Sequence, residues 1–189
     1  MIVCGIDEVG RGALAGPIVG AAVWCEDAKL ADLKLKDSKK LSRLSREKLY
    51  QQLINLKITH SIYLIEVEEI NRYGIGWANK ELFRILIGKS CGDVFILDGN
   101  LKIEHESKLD VKSVVKADQK FPQVMAASII AKVYRDKLMK ELHAKFPQYY
   151  WADNVGYGTS KHISAIVTHG ACELHRRVFV KTVLQRLGV

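Results

Sequence analysis

Two carboxylates stand side by side at the end of an apolar run, in Ile2-Val3-Cys4-Gly5-Ile6-Asp7-Glu8, and the turn Gly10-Arg11-Gly12 follows at once. Successive side chains of a regular strand point to opposite faces. Both acids reach one site only if the chain turns there, and the glycines supply that freedom. Taken alone, the pair reads equally well as a metal site or as two solvated turn residues. Asp98 adds weight, because it closes the apolar run Val94-Phe95-Ile96-Leu97. A carboxylate in such a place has to be paired, coordinated or exposed. Asp118 follows another apolar stretch, in Lys116-Ala117-Asp118. Hard oxygen ligands gathered in one place select Mg²⁺ or Mn²⁺. Two such ions, about 3.5–4 Å apart, form a device for in-line attack on a phosphodiester. Asp136 is a further acid, but it lies deep in a predicted helix, where i±4 pairing to Lys132 or Lys140 gives it a structural task, whereas Asp118 follows a strand and precedes a helix. Asp118 is therefore the choice.

The elements that must position these acids are legible from periodicity and turn residues. Strands are expected over 1–9, 18–24, 58–67, 94–99 and 111–115. Helices are expected over 42–55 with Ser42 as N-cap, within 68–88 (weakened by Gly74 and Gly76), over 122–146, and near 160–169 and 174–187. This order predicts an α/β fold, a mixed central β-sheet flanked by helices with a helical C-terminal portion. Ligands of such sheets gather at the C-terminal ends of parallel strands, where Asp7 and Asp98 are placed. No repeat or linker interrupts the chain, so residues 1–189 are expected to form a single domain.

Lys and Arg total 29 against 21 Asp and Glu, a formal charge of +8. That excess suits a polyanionic partner, although solubility alone would account for it equally. No apolar run approaches the roughly 20 residues of a membrane span, and the N-terminus lacks the pattern of a signal peptide. The expectation is a cytoplasmic protein with no membrane partner, a monomer by default. The four cysteines are scattered and show no zinc-ligand spacing, and Cys4 and Cys25 are expected to be small buried hydrophobes.

Six blocks, in this order, resemble ribonuclease HII. They are Gly5-Ile6-Asp7-Glu8-Val9-Gly10-Arg11-Gly12, Asp37-Ser38-Lys39-Lys40-Leu41-Ser42, Leu97-Asp98-Gly99, Lys116-Ala117-Asp118, the stretch from Ala126 to Asp136, and Gly156-Tyr157-Gly158-Thr159. Together they span most of the chain. The resemblance implies a ribonuclease H-like fold acting on RNA–DNA hybrids and on duplex DNA that carries a single ribonucleotide. It implies incision 5′ of that ribonucleotide, leaving 3′-hydroxyl and 5′-phosphate ends. Asp7, Glu8, Asp98 and Asp118 match the family's four acidic positions as catalytic metal ligands. The turn Gly10, Arg11, Gly12 matches its substrate-reading loop, and Tyr157 matches the tyrosine that contacts the 2′-hydroxyl, the one local mark of RNA. Ser38, Lys39 and Lys40 match a phosphate-holding loop, and the helices over about 159–189 contribute to substrate binding.

The chain departs from the family pattern in two places. Ala13 stands where proline is common, which is expected to loosen the turn, and Val178 stands where serine is usual. His175-Arg176-Arg177 is read as a basic patch that touches nucleic-acid backbone or is simply solvated. Because the sequence begins almost at the first strand, the N-terminal domain of ribonuclease HIII is not expected here. Two rivals carry distinct expectations. A non-catalytic nucleic-acid binder would bind regardless of EDTA and give no product with Mn²⁺. A phosphatase would hydrolyse a chromogenic phosphate ester.

Overall fold

Strands that are apolar on both faces need cover on both sides. The computed structural model describes residues 1–35, 41–103 and 109–188, and these form β1 (Val3–Val9), β2 (Ile18–Cys25), α1 (Arg43–Asn55), β3 (His60–Ile65), α2 (Val67–Tyr73), α3 (Ile75–Gly88), β4 (Val94–Asp98), β5 (Asp110–Val114), α4 (Pro122–Lys145), α5 (Trp151–Asn154), α6 (Ser160–His169) and α7 (Arg177–Leu187). The strands make one sheet in the order β3-β2-β1-β4-β5. β1 runs antiparallel to β2 and parallel to β4, and β4 runs parallel to β5. The mixed sheet with flanking helices expected from the sequence is therefore present.

The chain divides into two compact units. One comprises Met1–Val9, Val19–Leu64 and Lys80–Val133, and the other Gly10–Ile18, Ile65–Asn79 and Tyr134–Val189. The first holds the sheet. On one face, Ala21, Val23 and Cys25 of β2 pack with Leu53 of α1 and with Ala127, Ile130 and Val133 of α4. On the other face, Gly20 leaves room for Leu82 and Leu86 of α3. The second unit has its own core, in which Leu14, Met139, Tyr149, Trp151, Ile166 and Val180 cluster.

Local chemistry sets the boundaries. Ser42 caps α1 by accepting from the Ser45 N–H. Glu66 and Glu69 form a capping box at the start of α2, which ends β3 earlier than the expected residue 67. The single helix expected within 68–88 is two, because Gly74 takes φ 84° between them. The last helix starts at Arg177, three residues late, because Ala15 and His175 form an antiparallel bridge just before it. The turn at Pro147–Tyr149 and the short α5 escaped the sequence reading.

α4 lies against β1 at a notch. A Cβ at Gly5 would run into the backbone of Gln123 and Val124, so only glycine allows the helix this close. The Gln123 side chain donates from Nε2 to the Cys25 carbonyl (3.2 Å) and to Asp27 Oδ1 (2.7 Å), which pins the helix start. Gly5→Ala is expected to lower stability by about 1–3 kcal/mol through overpacking, whereas Gly76→Ala, near the start of α3 with nothing within 4 Å of an added Cβ, should be neutral or mildly stabilising. Chemical denaturation of the two variants checks this, and equal stabilities would contradict the notch.

Candidate metal centre

Asp7 is the fifth residue of β1, directly opposite Ala21 of β2. That register turns its side chain to the sheet face covered by α4, where it is only 3% exposed. The Glu8 N–H donates to Asp7 Oδ1 at 2.8 Å, and the Ser128 hydroxyl of α4 hydrogen-bonds the same carboxyl. Ser128 is the hydroxyl within the small-sided stretch from Ala126 to Ala131, and the notch at Gly5 brings the helix close enough for it to reach Asp7. The sequence reading missed this residue. Its only signal was a polar group in an otherwise apolar helix face.

Asp98 ends β4, beside β1 in the sheet. Its Oδ1 accepts from the Ala117 N–H at 2.7 Å. Ala117 opens the tight turn Ala117–Gln119, which Lys116 enters in the left-handed region at φ 58° and which buries Asp118 to 2% exposure. Asp98 therefore fastens the element that carries Asp118. Ligand atoms of Asp7, Asp98 and Asp118 all lie within 4.8 Å of one another. The structure thus brings together three of the four predicted acids. Glu8, half-buried, is not in that group, in keeping with the alternation of a regular strand.

Electrostatics mark the group as a cation site. Burial, the neighbouring Glu8 and then Asp98 raise the Asp7 carboxyl from 3.8 to about 8, against the opposing bond from Ser128. Crowded carboxylates with one driven towards its neutral form fit a divalent cation, whose charge offsets both the repulsion and the desolvation.

In the second unit the predicted reading turn is held by two buried arginines. Arg176 donates from Nη1 to the Arg11 carbonyl (2.9 Å) and from Nε and Nη2 to the Gly16 carbonyl (3.0 and 2.9 Å). Arg135 donates to the carbonyls of Pro17, Val155 and Ala15 at 2.7–3.1 Å. Gly10, at φ 89°, has no space for a Cβ beside Arg135. Arg11 and Gly12 are exposed. Ala13 is buried, and its N–H closes the turn on the Gly10 carbonyl at 3.3 Å, a bond that proline could not make. The turn is closed at this position with alanine in place of proline.

The Gly156 carbonyl accepts from the N–H groups of Leu14 and Ala15 (2.8 and 3.2 Å), which ties the Tyr157 segment to the turn's exit. Tyr157 is half-buried, with the Arg135 guanidinium 5.5 Å from its ring centroid. The reading of His175-Arg176-Arg177 as a basic patch is corrected. His175 and Arg176 are buried by pairing with the strand-like segment 14–16, and only Arg177 is exposed. Asp136 is half-buried on α4 and is not a member of the carboxylate group. Ser38, Lys39 and Lys40 lie outside the described residues.

The sheet and its carboxylate cluster define the ribonuclease H class of α/β fold. The structure is similar to the ribonuclease H2 of Pyrococcus horikoshii OT3 (TM-score 0.80, 25% identity, covering 100% of this chain and 99% of that one). It also shares its fold with Bst-RNase HIII in complex with Mn²⁺ (TM-score 0.72, 22% identity, 98% of this chain and 70% of that one). Within the class, the profile of Ribonuclease HII matches residues 4–183. The Ribonuclease HII of Clostridium perfringens (strain SM101 / Type A) is 43% identical over 190 residues, 96% of this chain and 68% of that protein. The chain belongs to the ribonuclease HII family and is a ribonuclease H, an endonuclease.

The raised Asp7 carboxyl has a measurable consequence. Between its unfolded value of 3.8 and its folded value of about 8, the folded metal-free protein holds a proton that the unfolded chain has released. The contribution of Asp7 to metal-free stability is therefore expected to fall as pH rises through that window. A bound cation favours the charged form, so Mg²⁺ should raise the melting temperature more at about pH 8.5 than at about pH 6.5. Asp7→Asn should abolish that difference. Thermal melts with and without metal check this, and a metal effect independent of pH would contradict it.

Proposed function

We propose that this protein hydrolyses the RNA strand of RNA–DNA hybrids and incises duplex DNA on the 5′ side of a single embedded ribonucleotide, leaving 3′-hydroxyl and 5′-phosphate ends. The observation that carries the reading is the convergence of Asp7, Asp98 and Asp118 within 4.8 Å. With Glu8, adjacent in the chain, these acids are the proposed ligands of two Mg²⁺ or Mn²⁺ ions. When bound, such ions supply an activated water and neutralise charge on the scissile phosphate and its leaving oxygen.

The chain's own residues supply position. Ser128 orients the Asp7 carboxyl, and the Ala117 N–H orients that of Asp98. Release of the Asp7 proton, held up to about 8 by burial and neighbouring charge, accompanies metal loading. The turn Gly10, Arg11, Gly12 and the Tyr157 side chain are the proposed readers of the ribose. Glycine at position 10 permits the turn's backbone conformation, and Tyr157 offers a ring for the sugar and a hydroxyl for the 2′ position. The basic excess of +8 supplies salt-sensitive affinity for the duplex. Ser38, Lys39 and Lys40 are proposed to hold backbone phosphates, and α6 and α7 to contribute to substrate binding.

Asp98→Asn is expected to abolish cutting while leaving binding to a ribonucleotide-containing duplex largely intact. The assay compares that duplex with all-DNA and continuous RNA–DNA controls, with Mn²⁺ and with EDTA. Full activity of the variant would overturn the site. Cutting of the continuous hybrid alone by the unmodified protein would overturn ribose reading by Tyr157.

A further inference from the structure

The second unit buries two histidines that the metal chemistry does not use. His162 of α6 and His175, just before α7, face each other with Nε2 atoms 3.1 Å apart. The Cys172 N–H points at His175 Nδ1 from 3.0 Å. A backbone N–H can only donate, so His175 Nδ1 is an acceptor and the proton of the neutral ring is on Nε2. At the other end, His162 Nδ1 lies 2.9 Å from the Tyr157 carbonyl oxygen. A carbonyl can only accept, so His162 Nδ1 carries the proton and its Nε2 offers a lone pair. That lone pair receives the His175 Nε2–H and also the indole N–H of Trp151 at 3.1 Å. The Cys172 thiol also lies 3.2 Å from His175 Nδ1; the donor-only indole N–H of Trp151 fixes His162 Nε2 as an acceptor, and with these tautomers each donor along the path finds an acceptor.

The relay ends on a particular backbone atom. The Tyr157 carbonyl also accepts from the Thr159 N–H (2.8 Å), and the Tyr157 N–H donates to the Asn154 carbonyl (2.9 Å). Two residues earlier, Val155 sits in the left-handed region at φ 44°. That conformation is unfavourable for a β-branched residue, and such strain persists only where surrounding contacts over-determine it. Arg135 donates to the Val155 carbonyl and lies over the Tyr157 ring, while the histidines hold the main chain that follows. Burial lowers the basicity of both imidazoles, that of His175 to about 4, which favours the neutral rings the relay uses.

We propose that His162 and His175 are positioning residues for ribonucleotide recognition: their neutral relay from the Cys172 N–H to the Tyr157 carbonyl fixes the main chain from which Tyr157 reads the sugar. This rests on the proposed ribose-reading role of Tyr157.

The test measures kcat/KM on a duplex with one ribonucleotide and on a continuous RNA–DNA hybrid, and takes their ratio, which loss of folded protein does not change. His162→Gln keeps a group near Nε2 and removes the Nδ1 donor, so it is expected to lower the single-ribonucleotide rate about tenfold relative to the hybrid, the size of one lost hydrogen bond. Tyr157→Ala should shift the ratio the same way, and adding His162→Gln to it should change the ratio no further. A His162→Gln variant that lowers both rates equally, while Tyr157→Ala shifts the ratio, overturns the relay alone. A Tyr157→Ala variant with an unchanged ratio overturns the reading of Tyr157 and the relay's role with it. Long-range ¹H–¹⁵N correlation on the unmodified protein gives a check that needs no variant to fold. It should show the proton of His162 on Nδ1 and that of His175 on Nε2, and the opposite tautomers would overturn the proposal.

Discussion

Three carboxylates confined within 4.8 Å repel one another, and two of them are almost sealed from water. Leaving such a cluster uncompensated is costly, because both burial and like charge disfavour ionisation. The first unit is organised around that constraint. β1 and β4 run parallel and side by side, which puts Asp7 and Asp98 near the same ends of neighbouring strands. The Asp98 carboxyl anchors the turn that carries Asp118. Gly5 lets the backbone of α4 approach β1, and this brings Ser128 to Asp7. Each acid is thus oriented by a separate hydrogen bond or a separate element, while their mutual repulsion suits a cation.

A different device holds the second unit. Arg135 and Arg176 are fully buried, and they donate to main-chain carbonyls between residues 11 and 17 and at Val155. Guanidinium groups suit this task, since five donors in a rigid fork can satisfy several carbonyls at once. Burial lowers the basicity of Arg176 to about 9, with the charge of Arg135 adding to the effect. The backbone of the turn after Glu8 is therefore set by side chains far along the chain, and the histidine pair completes the frame at Tyr157.

Much of this was legible in the sequence, for reasons that differ by element. β4 and α4 were readable because an apolar run closing on Asp98 and a proline at each end of a long helical stretch are local signals. The acids were readable because carboxylates at strand ends need a partner. What escaped was long-range. Nothing within 68–88 shows that Gly74 splits the helix rather than weakening it. His175-Arg176-Arg177 has the composition of a surface patch, and only its pairing with residues 14–16 buries the first two members. Arg135 carries no local signal of its task, because its partners are carbonyls about 120 residues upstream and 20 downstream. Ser128 was hidden among alanines and isoleucines because its importance depends on which strand the helix crosses.

The central claim is that the Asp7, Asp98 and Asp118 cluster is the metal centre. Crystals soaked in Mn²⁺ and recorded at the manganese absorption edge test it most directly. The account predicts anomalous density among these three carboxylates, absent from Asp98→Asn crystals treated in the same way. Manganese bound only elsewhere on the chain, or bound equally by the variant, would contradict it.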